Sequence, residues 1–356
     1  MEVKKLRLNN FRNFSEYEIE PGEGVNVIYG DNARGKTNII EAIWLFTGAK
    51  SFRTNKDSEL IKNGESYART ELEYNLKGRI NKSSIIFGEK KSVEINGVKS
   101  VGGGDLVGRF TCAVFTPMHM DIVKGCPGDR RRFLDTSICQ INSGYLKILK
   151  EYMRVLAQRN ALLKDIQYES ALLEQLDVWD MRLCDYATKI REERQKYIDK
   201  ISKESEKIYE GISGGREKLE IIYRPGLDFS EDAETQIAKA RANDIKYGTT
   251  TVGPHRDDIE INLKGISARS YGSQGQQRSC ALSLKLAESA MLKEETGSSP
   301  VILLDDVMSE LDRGRREYIL KRLGENQVFV TCCDRPEDYA DISERAELKS
   351  FYLGEK

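Results

Sequence analysis

The sequence predicts an α/β fold in two lobes: a split sheet with a β-rich appendage, and a mainly helical second lobe inserted between the halves of that sheet. Three observations predict it. Short apolar runs bounded by turn residues fill the first half-hundred positions and return over residues 70–115. Apolar residues then recur every three or four positions from Leu172 through Leu176, Trp179, Leu183, Tyr186, Ile190, Tyr197 and Ile201 to Ile208. Strand patterning resumes at Val301–Leu304 and Val328–Cys332. The resulting division is residues 1–116 with 285–356 for the first lobe and 117–284 for the second.

Taken in order, Val3 to Leu8, Tyr17 to Ile19 and Val25 to Tyr29 read as strands separated by Asn-Arg-Asn and Pro21-Gly22. Ile39, Ile40, Ala42, Ile43 and Phe46 follow at helical spacing, with Gly48 as the stop. Glu71 to Leu76 and Val93 to Ile95 form hairpins around Asn-Gly and Gly-Gly turns. The amphipathic stretch of some forty residues spans about 60 Å as one helix, or as two broken near Glu193 to Gln195. The tail gives a helix from Gln276 to Leu292, a Gly297-Ser298-Ser299-Pro300 breaker, a strand, a helix and a last strand.

Composition excludes several classes. With 56 basic and 57 acidic side chains, 39% hydrophobic and 32% charged residues, the 356-residue chain is neither disordered nor coated with positive charge, so a nucleic-acid contact requires a local patch. The start lacks a continuous apolar segment and no run approaches a membrane span, which predicts a soluble cytoplasmic protein without a membrane partner. Seven cysteines, none in a C-x-x-C pair, suggest neither a disulfide framework nor zinc.

Between the third strand and the first long helix lies Gly30-Asp31-Asn32-Ala33-Arg34-Gly35-Lys36-Thr37. Such a G-x-x-x-x-G-K-[ST] run arises by chance in a chain of this length on the order of once in a hundred, and the strand–loop–helix context lowers that further. The motif leads us to expect backbone N–H groups of Ala33 to Thr37 to wrap phosphates at a positive helix end, Lys36 to reach the β- and γ-phosphates, and Thr37 to ligate Mg²⁺. A phosphate loop also needs a carboxylate at a strand end, which Val301-Ile302-Leu303-Leu304-Asp305-Asp306 supplies: Asp305 for the Mg²⁺ shell, Asp306 to position or deprotonate the attacking water. A helix N-cap is the plainer role for either carboxylate.

Ser273-Gln274-Gly275-Gln276-Gln277-Arg278 precedes another helix and offers a hydroxyl, a glycine and free N–H groups, a second anion site or simply a cap. It resembles the signature motif of ABC-class ATPases, and that resemblance implies contact with ATP held by another subunit. The order of phosphate loop, helical insertion, signature, Asp-Asp strand and Ser309-Glu310-Leu311-Asp312, with Asp312 as the D-loop acid, resembles the ATPase heads of Rad50 and SMC proteins. Those carry coiled-coil arms hundreds of residues long, which this insertion cannot hold. Transporter subunits normally carry a histidine after the last core strand, where this chain has Thr331-Cys332-Cys333-Asp334.

Shorter runs narrow the resemblance to the RecF family: Asn10-Phe11-Arg12-Asn13-Phe14, Gly35-Lys36-Thr37-Asn38, Ser51-Phe52-Arg53-Thr54, Arg131-Arg132-Phe133-Leu134-Asp135, Thr251 to Asp258 and Tyr271 to Arg278. Phe115-Thr116-Pro117-Met118-His119-Met120 departs from it, lacking the acidic residues usual after the proline. The resemblance implies an ABC-type ATPase head, an ATP-dependent homodimer, slow DNA-stimulated hydrolysis, binding to duplex DNA next to single strand, and recombinase loading with RecR and RecO in repair, replication and the SOS response. Arg12 and Asn38 join Gly30 to Thr37 as nucleotide contacts on that reading. Arg53, Lys56, Arg130, Arg131 and Arg132 are the clustered cations that suit DNA phosphates, with bracing of the helical lobe as the alternative for Arg131 and Arg132 and nucleotide contact as the alternative for Arg53. The turn at Gly253-Pro254-His255-Arg256 reads as a hinge between lobes, since two distant histidines give no metal spacing.

Overall fold

The strand before the phosphate loop and the strand ending in Asp305 belong to one parallel sheet. The computed structural model describes residues 1–100, 102–308, 311, 313–333 and 347–354. Antiparallel strands β1 (Glu2–Phe11) and β2 (Phe14–Ile19) open the chain, followed by β3 (Val25–Tyr29) and helix α1 (Lys36–Leu45). Next come β4 (Ala68–Leu76), β5 (Arg79–Phe87), β6 (Ser92–Ile95), β7 (Val98–Ser100) and β8 (Cys112–Phe115). Helices α2 (Asp121–Lys124), α3 (Pro127–Ile141), α4 (Ser143–Ile166) and α5 (Leu176–Ser213) follow. The rest is β9 (Leu219–Arg224), α6 (Ala233–Tyr247), β10 (Asp258–Leu263), β11 (Ile266–Ser267), α7 (Ala268–Tyr271), α8 (Gln274–Thr296), β12 (Val301–Asp305), α9 (Arg313–Arg322), β13 (Val328–Cys332) and β14 (Leu348–Tyr352).

The parallel sheet has the order β14-β3-β13-β12-β8, and the antiparallel appendage the order β2-β1-β4-β5-β6-β7. Two-residue turns close two hairpins of the appendage. In each, Lys77-Gly78 and Asn96-Gly97, both residues have positive φ, the pairing that matches strand twist. Helix α1 lies within one apolar core shared by Val3, Leu6 and Leu8 of the appendage and by Val114, Leu303 and Phe329 of the parallel sheet. That position explains its sequence: Ile39, Ile40, Ala42, Ile43, Trp44 and Leu45 leave no polar face, because a helix covered on all sides has no solvent to face.

Two compact units divide the chain, residues 1–120, 208–215 and 281–356 in the first, 121–207 and 216–280 in the second. The second is mainly helical and also holds a three-stranded antiparallel sheet, β11-β10-β9. Helix α5 runs 38 residues without a break at Glu193 to Gln195, having no Gly or Pro before Gly211. Gly211 is required by packing, since a Cβ there would collide with the Tyr318 ring. Among the described residues no helix is long and apolar enough to cross a membrane.

Candidate nucleotide-binding site

The loop from Gly30 to Gly35 turns through positive φ at Gly30 (146°), Ala33 (66°) and Gly35 (99°) before α1 begins at Lys36. Gly35 permits close approach: a Cβ there would sit 2.6 Å from the Asn13 side chain, whose Nδ2 donates to the Arg34 carbonyl at 3.1 Å. No acidic residue stands in the first turn of α1, so its partial positive end is available to an anion. Lys36 folds back over its own loop, donating to the carbonyls of Gly30 (2.5 Å) and Asp31 (3.0 Å) and approaching Cys333 Sγ at 3.4 Å. Phosphate oxygens replacing those carbonyls exchange neutral acceptors for charged ones.

Strand β13 lies between β3 and β12, so the loop and Asp305 meet across it. Thr37 Oγ1 donates to Asp305 Oδ1 at 2.9 Å, and Thr331 Oγ1, paired in register with Asp305, donates to the same oxygen at 2.7 Å. Asp305 is 5% exposed. Burial pushes its carboxyl above the ordinary range, and the neighbouring charge of Asp306 adds to this, while the two hydroxyls and Arg53 pull it down. A buried carboxylate beside a hydroxyl is a hard oxygen set, and the missing stabilisation of its charge is what Mg²⁺ would supply; the residues fit that ion. Asp306 has φ 52°, an exposed side chain and an N–H donated to Thr331 Oγ1 at 2.9 Å. Successive carboxylates thus differ, one sunk against the loop and one facing solvent.

Behind the loop, Glu41 of α1 is fully buried and carries several of the predicted groups. Arg12 donates to it through Nε (2.9 Å) and Nη2 (2.6 Å), and to the Glu59 carbonyl through Nη1 (2.8 Å). Arg12, expected as a nucleotide contact, is therefore engaged by protein acceptors at all three nitrogens. Asn38 accepts from Arg53 Nη1 at 2.6 Å and donates to Asn13 at 2.8 Å, while Arg53 and Lys56 are exposed. His119, in the stretch that departs from the family pattern, is kept neutral by burial, with Nδ1 accepting the Thr116 N–H at 3.0 Å.

At the signature, Ser273 and Gln276 form a reciprocal cap on α8: the Gln276 side chain accepts the Ser273 N–H at 2.7 Å, and Ser273 Oγ accepts the Gln276 N–H at 3.3 Å. Gln276 also donates to Glu217 at 2.7 Å. Ser273, Gln274 and Gly275 are exposed, and a Cβ at Gly275 would meet nothing within 4 Å, so no contact inside the chain requires glycine there. Asp312, Ser309 and Glu310 of the expected D-loop lie outside the described residues.

The cations of α3 separate. Arg130 is 3% exposed and grips Asp258 through Nε (2.6 Å) and Nη2 (3.0 Å), so its expected role as a DNA contact is corrected to an internal brace. Arg131 donates to the Asp257 carbonyl at 2.8 Å, and Arg132 is exposed. Arg130→Ala is expected to cost about 3 kcal/mol, the lower end for a broken buried pair because Asp258 keeps some solvent contact. Thermal unfolding checks it, and an unchanged melting temperature would remove the brace.

The His255 turn is likewise corrected from a hinge. Both flanks fall within residues 216–280 of the second unit, and the ring is locked by Tyr152 Oη on Nδ1 (2.6 Å) and the Thr250 carbonyl on Nε2 (3.1 Å). Burial lowers its pKa to about 4, so the imidazole is neutral with its proton on Nε2. Asp257 beside it accepts from Arg194 Nη1 at 2.6 Å. Among the described residues no cluster of three or more metal-ligating side chains exists.

The profile of the RecF/RecN/SMC N terminal domain family matches residues 2–340. The DNA replication and repair protein RecF of Agathobacter rectalis is 42% identical over 341 residues, covering 93% of this chain and 92% of the relative. That of Acetivibrio thermocellus is 40% identical over 357 residues, covering 94% of each. A solved structure of the recombination mediator protein RecF-ATPrS in the RecFOR pathway superposes with a TM-score of 0.89 at 37% identity, covering 99% of this chain and 96% of that one. An Smc head domain derived from Pyrococcus furiosus, with a TM-score of 0.56 at 17% identity over 98% of this chain and 93% of its own, shares the fold.

Proposed function

Because the chain belongs to the RecF family, we propose that it is an ATP-dependent DNA-binding protein of recombinational repair and replication-fork maintenance, with ATP hydrolysis as the switch. The observation that carries this reading is the 2.9 Å bond from Thr37 to the buried Asp305, which joins phosphate loop and carboxylate strand into one Mg²⁺–ATP cradle. Mg²⁺ held there would supply positive charge to offset that of the phosphates during phosphoryl transfer. Thr37 and Asp305 would hold that ion, Lys36 would exchange its loop carbonyls for phosphate oxygens, and Asp306 would orient water from its exposed position.

Hydrolysis is completed by the Ser273–Gln276 signature of a second copy. The exposed residues Ser273, Gln274 and Gly275 at the start of α8, with open space at Gly275, give room for a phosphate from outside the chain, which supports ATP as the glue of a homodimer. The proposed lobes are residues 1–116 with 285–356 for ATP and 117–284 for the signature. DNA at single-strand/double-strand junctions is clamped by the dimer through Arg53, Lys56, Arg131 and Arg132, slow DNA-stimulated turnover releases it, and RecR and RecO are the partners in loading recombinase in the cytoplasm. A RecF structure with ATP in the RecFOR pathway, 38% identical, supports nucleotide and pathway.

Light scattering of wild type and Ser273→Arg, without nucleotide, with ADP and with ATP plus Mg²⁺, tests the composite site. The expected result is a dimer with ATP alone, lost in the variant although the variant monomer still binds ATP. A normal dimer in Ser273→Arg would remove the signature from the interface.

A further inference from the structure

We infer that Glu41 is a positioning residue of the nucleotide site, setting the place of Arg53 through one buried carboxylate shared with Arg12 and Ser51. The inference rests on the ATPase reading above and adds a residue that none of the recognised motifs contains. Glu41 stands in the apolar stretch Ile39 to Leu45 of α1, 0% exposed, five residues beyond Lys36. A carboxylate in that setting is tolerated only when its oxygens are engaged.

Each oxygen is. Oε1 accepts from Arg12 Nη2 (2.6 Å) and Ser51 Oγ (2.5 Å); Oε2 accepts from Arg12 Nε (2.9 Å) and lies 3.5 Å from Arg53 Nη1. The two guanidinium contacts are unequal. Arg12 is held as a two-point fork with its remaining nitrogen on the Glu59 carbonyl, whereas Arg53 touches Glu41 through one long contact. Arg12 is the anchor and Arg53 the arm.

Glu41 also fixes the backbone from which that arm springs. Ser51 Oγ, while donating to Glu41, accepts the N–H of Arg53 (2.9 Å) and of Thr54 (3.1 Å), so the turn carrying Arg53 hangs on the carboxylate. From Arg53 the chain of bonds continues to Asn38 Oδ1 (2.6 Å), from Asn38 to Asn13 (2.8 Å) and from Asn13 to the Arg34 carbonyl in the phosphate loop (3.1 Å). One carboxylate faces two guanidiniums, and Arg53 is the more loosely held of the two. Arg53 is also the more exposed member, at 39% side-chain exposure against 15% for Arg12. Arg53 is thus poised to exchange its Asn38 and Glu41 partners for phosphate, and Glu41 determines where that exchange occurs.

A double-mutant cycle on steady-state ATP hydrolysis by the full chain tests this, with Glu41→Gln, Arg53→Gln and the pair. Glu41→Gln is expected to lower kcat roughly tenfold or more, as displaced positioning groups do, while KM for ATP moves less than about threefold. In the Arg53→Gln background the same change is expected to cost less than about twofold. Equal losses in both backgrounds would overturn the inference and mark Glu41 as a general support of the fold, with wild-type turnover still standing for the ATPase reading. Should Glu41→Gln not fold, Glu41→Asp takes its place, keeping the charge but withdrawing it by about 1.5 Å. A loss confined to chains retaining Arg53 again supports the arm, and a background-independent loss again refutes it.

Discussion

Lys36→Ala is expected to weaken ATP binding at least 100-fold while changing the melting temperature by no more than about 2 °C. Charge-assisted hydrogen bonds to phosphate contribute about 1.5–3 kcal/mol each, and losing two of them amounts to at least two decades in Kd. The folded chain without nucleotide gains little from the ammonium. Its partners, the carbonyls of Gly30 and Asp31 and the Cys333 sulfur, belong to the loop itself or its neighbour, and the group is 9% exposed, so desolvation offsets much of what those contacts give. Alanine at the first position of α1 is also a good helix former. Titration with a fluorescent ATP analogue, paired with thermal unfolding, separates the two effects. Binding retained within about tenfold would show that the backbone N–H groups hold the phosphates without the lysine.

What the sequence reveals of this site is local, and what it hides comes from distant parts of the chain. Gly30 to Thr37 carry their own geometry because strand, loop and helix are contiguous, and Asp305 is legible because four apolar residues precede it. Thr331 is not: it reaches Asp305 from the strand inserted between the two motifs, a pairing that appears only with the order β3-β13-β12. Glu41 left a fainter mark, a single carboxylate in Ile-Ile-Glu-Ala-Ile-Trp, where a charge with no polar face around it must have a buried partner. The arginines of α3 look alike in sequence, yet Asp258, 128 positions away, takes Arg130 inside and leaves Arg132 in solvent. The His255 turn has hinge-like residues, but Tyr152 and Thr250 close on its ring from elsewhere in the second unit. Strand β9 was missed because Leu219 to Arg224 is short and follows a helix of 38 residues that dominates the periodicity.

Asp306→Asn is expected to lower the rate of ATP hydrolysis by about 10²- to 10³-fold, with ATP affinity unchanged and the ATP-bound dimer accumulating. The substitution isolates chemistry from folding for a conformational reason. Asp306 has φ 52°, a region that asparagine enters at least as readily as aspartate, whereas alanine there would add strain and confound the result. The backbone N–H that binds Thr331 Oγ1 at 2.9 Å is retained, so Asp305 stays where Thr331 holds it. What is lost is a carboxylate able to accept a proton and to fix a water by charge. Removing a negative charge next to Asp305 also relieves one of the forces that raise its pKa, so Mg²⁺ coordination is not weakened through that route. Single-turnover hydrolysis and light scattering on the same samples check both halves: slow turnover with persistent dimers assigns the water-directing role to Asp306. Unchanged turnover would take Asp306 out of the chemistry and leave its strained backbone as the geometry that keeps Asp305 buried.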